Sequence, residues 1–188
     1  MNGYSGFKQR DARGNLEIEV GEKMDMKFCP CCGEGLVTVQ IDGKPRGSCT
    51  SKTCEYVLWD NPTPVVAAIT ELDGNVVLAR NKEWPEKMFG LITGFLERGE
   101  TPDEGVLREV KEELGLKGRI ESFVGYYSFF EMNQLILAFH VKAEGEIVIG
   151  EELDEIKLIS PEKLRPWRFG TGLAIKDWLE TRKASGTK

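Results

Sequence analysis

Between Thr101 and Gly115 the sequence dictates a helix, and the charges on that helix restrict what can surround it. Thr101 is a good N-cap, Pro102 fits the first turn, Asp103 and Glu104 complement the positive helix end, and Gly115 stops the helix. Val106, Val110 and Leu114 form an apolar stripe, extended by Leu107, that has to be buried. Glu109, Glu112 and Glu113 fall at i, i+3 and i+4, an arc about 100° wide. Gly105 lies on that arc, where a missing side chain permits close approach of another group. Arg108 flanks it beside Glu112 and within reach of Glu100. Like charges at this spacing repel by about 0.2–0.5 kcal/mol per pair. A hard divalent cation converts the repulsion into binding, because carboxylate oxygens are what magnesium and manganese prefer. The plain alternative is a solvated acidic face.

The flanking residues decide between the two. Gly94-Phe95-Leu96-Glu97-Arg98-Gly99-Glu100, seven further residues, and then Arg108-Glu109-Val110-Lys111-Glu112-Glu113-Leu114-Gly115-Leu116 follow the pattern G-x5-E-x7-R-E-U-x-E-E-x-G-U, with U a bulky apolar residue. At ordinary residue frequencies a chance match in a chain of this length is on the order of one in ten million. The segment resembles the Nudix box without a departure.

That resemblance implies an α/β fold, a Nudix α/β/α sandwich around a mixed sheet, and metal-dependent hydrolysis of a phosphoanhydride bond. Glu109 and Glu113 would be ligands of Mg2+ or Mn2+. Glu112 would be a ligand or the base that deprotonates the attacking water. The carbonyl of Thr93 would complete the coordination, while Gly94, Glu100, Arg108 and Gly115 support the box.

All five cysteines lie between Cys29 and Cys54. An odd count without a secretory signal argues against a disulfide framework. Two residues separate Cys29 from Cys32, four separate Cys49 from Cys54, and sixteen lie between the pairs. Short cysteine loops carried on β-hairpins describe a structural Zn2+ site formed by Cys29, Cys32, Cys49 and Cys54, with free thiols in a reducing cell as the alternative. Cys31 is left over. It could replace Cys29 or Cys32, although a two-residue gap suits a metal knuckle better.

Asn61-Pro62-Thr63-Pro64 then breaks the chain. The expected organisation is an N-terminal extension over 1–27, whose role is not readable, a small zinc ribbon over 28–60, and a Nudix hydrolase domain over 61–188. Strands are expected at Leu16–Val20, Leu36–Ile41, Arg46–Cys49, Val65–Leu72, Val76–Ala79, Phe89–Thr93, Ile120–Phe129, Leu135–Lys142 and Glu155–Ile159. Asp73-Gly74-Asn75 marks a hairpin turn. A short helix is expected from Ser160-Pro161-Glu162 and an amphipathic one over Thr171–Lys183. His140, inside an apolar strand, reads as a hydrogen-bonded core histidine.

A ribbon directly before this box is similar to the arrangement in NADH pyrophosphatases and related ribbon-bearing Nudix hydrolases. The resemblance implies a late glutamate in the metal site. Glu152 matches it best, with Glu151 and Glu155 as neighbours. It implies a nucleotide substrate of the NADH, ADP-ribose or FAD type and, since relatives are often homodimers, a dimer. One departure weakens the NADH expectation. The S-Q-P-W-P-F-P-x-S motif of those enzymes is replaced by Gly125-Tyr126-Tyr127-Ser128-Phe129-Phe130-Glu131-Met132-Asn133-Gln134. Tyr127, Phe129 and Phe130 could stack a ring, and Arg80 and Lys82 could reach phosphates. Alternating core and edge positions account for the aromatics equally well.

Two other functions compete: hydrolysis of nucleoside triphosphates or an RNA cap, and a non-catalytic ligand-sensing Nudix domain with a nucleic-acid-binding ribbon. A net charge of −6 argues against general nucleic-acid binding, though the ribbon leaves such a role open. It also makes a bridging cation necessary for a phosphate-bearing ligand. With no apolar run of membrane-spanning length and no secretory signal, the expected location is cytoplasmic.

Overall fold

The computed structural model describes residues 26–185, which divide after Pro62 into two compact units. The strand expected at Leu16–Val20 and nearly all of the expected extension lie outside the described residues.

In the first unit β1 (Leu36–Ile41), β2 (Lys44–Cys49) and β3 (Val57–Leu58) form an antiparallel three-stranded sheet. Asp42 and Gly43 turn β1 into β2 with φ of 50° and 74°, the left-handed pair that a two-residue hairpin requires.

The second unit is built on β4 (Thr63–Leu72), β5 (Asn75–Asn81), β6 (Ile92–Phe95), β7 (Lys117–Phe129), β8 (Gln134–Glu144) and β9 (Leu153–Ile159), with helices α1 (Pro102–Leu114) and α2 (Gly172–Ser185). The order is β7-β8-β4-β5-β9, with β6 paired to β4. Only β4 and β8 run parallel, so the sheet is mixed as expected. Residues 65–72 of β4 are all buried, which explains the near-continuous apolar run: a central strand has no solvent face.

Alternation along β4 splits the core. Val66 and Ala68 pack with Val106, Val110 and Leu114 of α1, whereas Val65, Ala67 and Ile69 pack with Ala174, Ile175 and Trp178 of α2. Each fully buried Val, Leu or Ile contributes about 1.5–3 kcal/mol, so each helix is held by its stripe far more than by intrinsic propensity.

Two expectations need correction. The short run at Phe89–Thr93 pairs later than expected. Gly90 forms an isolated bridge to Ala79 beneath the Trp84 ring, and pairing with β4 begins only at Ile92. No helix forms at Ser160. The N–H groups of Lys163 and Leu164 both donate to the Ser160 carbonyl, and the turn goes no further. Pro166 lacks a donor and steers Arg165 away from helical backbone.

His140 is buried, with Nε2 2.8 Å from Glu71 Oε2 and its ring against Trp178. Arg182 donates to the same carboxylate oxygen at 3.3 Å. Burial lowers the His140 pKa while Glu71 works the other way. It is the hydrogen-bonded core histidine the sequence suggests.

Candidate active site

Helix α1 is held at both ends by its own residues. Thr101 N–H donates to Glu104 Oε2 at 2.8 Å and Glu104 N–H donates to Thr101 Oγ1 at 3.3 Å, a reciprocal capping box. Gly115, at φ 68°, closes the far end by donating to the Lys111 carbonyl.

Arg108 ties the preceding loop to the glutamate arc. Its Nε and Nη2 reach the two Glu100 oxygens at 3.0 and 2.8 Å, a bidentate pair. Nη2 also donates to the Phe95 carbonyl, and Nη1 reaches Glu109 at 2.6 Å and Glu112 at 3.0 Å. Glu100 accepts the Glu97 N–H as well. The Arg108 guanidinium first, then that N–H, hold the Glu100 carboxyl down to about 2. The close approach anticipated at Gly105 is made by Glu100, whose Oε1 would lie 2.9 Å from a Cβ there.

Strand β6 delivers Thr93 and Gly94 to the other side of the arc. Pairing sets Thr93 opposite Ala67, which faces the α2 core, and Gly94 opposite Val66, on the α1 face of β4. The Glu109 carboxylate lies against Gly94 so closely that a Cβ would fall 1.8 Å from Oε1. Glycine is required here because the carboxylate occupies the space of a side chain. Burial pushes the Glu109 pKa up, opposed by Arg108 and reinforced by Glu112 and Glu152. Glu113 is pushed up to about 8, by burial first and then by Glu109, Glu152 and Glu112.

Glu152 arrives on the loop just before β9, far along the chain from α1. Val148 N–H donates to the Leu114 carbonyl at 2.9 Å and Gly150 N–H donates to the Glu113 carbonyl at 2.8 Å, so this loop closes the last turn of α1. The charge of Glu152 raises both Glu109 and Glu113. Glu109 and Glu113 thus both resist ionisation, each buried and each under the charge of Glu112 and Glu152. That chemistry fits a hard divalent cation.

Other sequence candidates have partners of their own. Tyr127 and Phe129 pack into the core under α2, where Tyr127 donates to Asp177 Oδ2 at 2.8 Å and Phe129 stacks on Phe169. The core-strand reading of these two rings is the one their packing fits. Phe130 sits on the turn between β7 and β8 and is exposed. The Arg80 guanidinium is held by Asp154 and Glu155. Gly150 and Lys82 make contacts that nothing local in the sequence marks, because their partners lie far along the chain.

In the first unit the sulfurs of Cys29, Cys32, Cys49 and Cys54 lie within 4.8 Å of one another. Cys31 is exposed and is not one of the four, although desolvation, and after it the nearness of Cys29 and Cys32, raises its thiol pKa. Gly33, at φ 81°, turns the first cysteine loop so that its N–H reaches the Cys29 carbonyl, and Ser51 N–H points at Cys49 Sγ, 3.4 Å away. Burial raises the Cys29 thiol, but the N–H groups of Cys31 and Cys32 and the nearby thiols of Cys54 and Cys32 outweigh it and bring the pKa to about 7. For Cys49 the Ser51 N–H lowers the pKa, yet burial and the adjacent sulfurs push it up to about 12. Four converging sulfurs suit tetrahedral zinc.

Comparison with known proteins agrees with the box. The NUDIX domain family model matches residues 61–178. An ADP-ribose pyrophosphatase of Methanocaldococcus jannaschii is 29% identical over 163 residues, 81% of this chain and 96% of that protein. An NAD-capped RNA hydrolase of Pseudomonas putida is 27% identical over 79% of this chain, and the match spans only about half (53%) of that enzyme. Among solved structures, a NUDIX hydrolase from Nitrosomonas europaea superposes with a TM-score of 0.71 at 27% identity, covering 85% of this chain and 93% of that one.

Proposed function

This chain belongs to the Nudix family, and from that premise we propose that it hydrolyses the phosphoanhydride bond of a nucleoside diphosphate linked to another moiety, of the ADP-ribose, NADH or FAD type. The observation that carries the proposal is the set of carboxylates on α1 joined by Glu152. The extent of the match to an ADP-ribose pyrophosphatase supports the substrate class.

A bound Mg2+ or Mn2+ supplies charge neutralisation for the diphosphate. Glu109, Glu113 and Glu152 hold it, with the Thr93 carbonyl beside them. Glu112, whose side chain is 59% exposed, stands where water reaches it and takes the proton from the attacking water, with Glu152 as the other candidate for that role. Arg108, Glu100, Gly94 and Gly115 position these groups. In the same reading Cys29, Cys32, Cys49 and Cys54 hold a structural zinc ion in a ribbon over residues 28–60, and residues 61–188 form the hydrolase domain. The protein works in the cytoplasm as a homodimer. Among the described residues, no helix is long and apolar enough to cross a membrane.

The test is a substrate panel of ADP-ribose, NADH, NAD, FAD, diadenosine polyphosphates and nucleoside triphosphates, each with Mg2+ and with Mn2+, with products identified by mass spectrometry. Two phosphate-bearing products from a nucleotide-linked diphosphate are expected. Absence of turnover on every substrate overturns the proposal. A second reading, removal of an NAD cap from RNA, is favoured by the similarity to NAD-capped RNA hydrolases. Capped RNA as a further arm separates it: cleavage of the capped RNA far faster than of any free dinucleotide selects this reading.

A further inference from the structure

The loop that carries Glu152 is gripped from two sides. Toward the helix, Val148 and Gly150 donate to the last carbonyls of α1. Gly150 is packed so tightly that a Cβ would lie 2.6 Å from the Glu112 carbonyl oxygen and 3.1 Å from Glu113 Cα. Both are backbone atoms of a helix fixed by its buried stripe, so the loop would have to give. Gly150 is absent from the positive-φ residues, so its role is close approach and not a special backbone conformation. Toward the sheet, Lys82 follows directly on β5. Its N–H donates to the Glu152 carbonyl at 3.0 Å, and its ammonium donates to the Glu151 carbonyl. Leu153 closes the turn onto the Gly150 carbonyl at 3.2 Å and begins β9 opposite Asn81. Glu152 therefore hangs from a backbone segment clamped between the helix bearing Glu109 and Glu113 and the end of a core strand.

We propose that Gly150 and Lys82 are positioning residues: by fixing the backbone on either side of Glu152 they set how closely its carboxylate approaches Glu109 and Glu113, and so the affinity of this site for its divalent cation. The inference rests on the reading of Glu152 as a metal ligand. Neither residue touches the cation or the reacting atoms. Outer contacts of this kind commonly alter metal affinity by about 10–100-fold when removed.

The test titrates Mn2+ into the full chain and follows free Mn2+ by its electron paramagnetic resonance signal, with melting temperature measured in parallel. Gly150→Ala is expected to weaken Mn2+ binding by about 10–100-fold. Lys82→Met, which keeps the N–H and loses only the ammonium contact, weakens it by less. Adding Glu152→Gln to Gly150→Ala should cost little more, because both changes remove one interaction and coupled changes are not additive. If Gly150→Ala does not fold, Lys82→Met decides. Unchanged Mn2+ affinity in the positioning variants, while Glu152→Gln alone weakens it, overturns the clamp and leaves Glu152 a ligand. A lowered melting temperature with unchanged Mn2+ affinity overturns it too, since it marks a merely structural contact. Unchanged affinity in Glu152→Gln itself overturns both the clamp and the ligand reading beneath it.

Discussion

Cys29, Cys32, Cys49 and Cys54 bring their sulfurs to one point, whereas Glu109, Glu112 and Glu113 are spread along a helix with Arg108 reaching two of them. The sulfur set gathers four thiols within 4.8 Å of one another. The carboxylate set keeps Glu112 open to solvent and draws Glu152 from a separate loop. Four protein ligands close a site to exchange, and such sites serve structure. An incomplete protein shell leaves room for a substrate and a water, as catalysis needs. The sequence distance each set spans tells the same story: the cysteines all come from 26 residues, and the carboxylates from segments brought together by the sheet and by the hydrogen bonds of the Glu152 loop to the end of α1.

The sharpest way to break this contrast is to remove one ligand from each set. Cys32→Ser or Cys49→Ser is expected to release zinc and unfold the first unit, since a structural zinc is worth about 10–16 kcal/mol of folding free energy. Metal content by atomic emission and amide NMR dispersion over residues 26–62 would show it, and Cys31→Ser should change neither. Retention of zinc by the Cys49 variant would refute the four-sulfur assignment.

The carboxylate set should respond in the opposite way. Glu112→Gln is expected to lower kcat by about 10²–10⁴-fold and Glu113→Gln to abolish most turnover, each with an unaltered fold by circular dichroism. Unfolding of either variant would mean that these residues act like the cysteines, and the contrast would fail.

Gly94→Ala probes the scaffold. The added methyl competes with the Glu109 carboxylate for one space, and Mn2+ affinity should fall by about 10–100-fold. Equal Mn2+ binding in calorimetry would show that Glu109 does not hold its place there.

The mildest expectation concerns pH. Glu113, raised to about 8, holds a proton below that value in the metal-free chain, and the cation has to displace it. Mn2+ affinity should therefore climb by at most about tenfold per pH unit up to 8 and then level off. The stability sign follows from the same shift. The folded chain binds more protons than the unfolded one between the ordinary carboxylate pKa and 8, so this group's contribution to metal-free stability declines as pH rises through that window. A flat binding profile from pH 6 to 8 would separate Glu113 from the metal.

What the sequence disclosed tracks the range of the forces involved. Thr101, Pro102 and Gly115 act within a few residues, and α1 begins and ends where they place it. The cysteine spacing likewise encodes a local unit, and β1 matches its expected span. Strand β6 escaped because its boundary depends on Trp84 covering Gly90, a tertiary contact. The partnership of His140 with Glu71 joins residues 69 apart, and that of Arg182 with the same carboxylate is longer still. Tyr127 and Phe129 show the limit from the other side. Their alternation is visible, but which face they occupy depends on the register with β8, and two irregularities earlier in β7, after Ile120 and after Phe123, shift that register.

Strand β4 lends its odd residues to one core and its even residues to the other. A strand shared in this way makes local opening on one face expensive for both, so the two layers should exchange amide hydrogens and yield to proteases as one unit. Cation binding at α1 would then slow proteolysis of α2 on the opposite face of the sheet, although no ligand touches it.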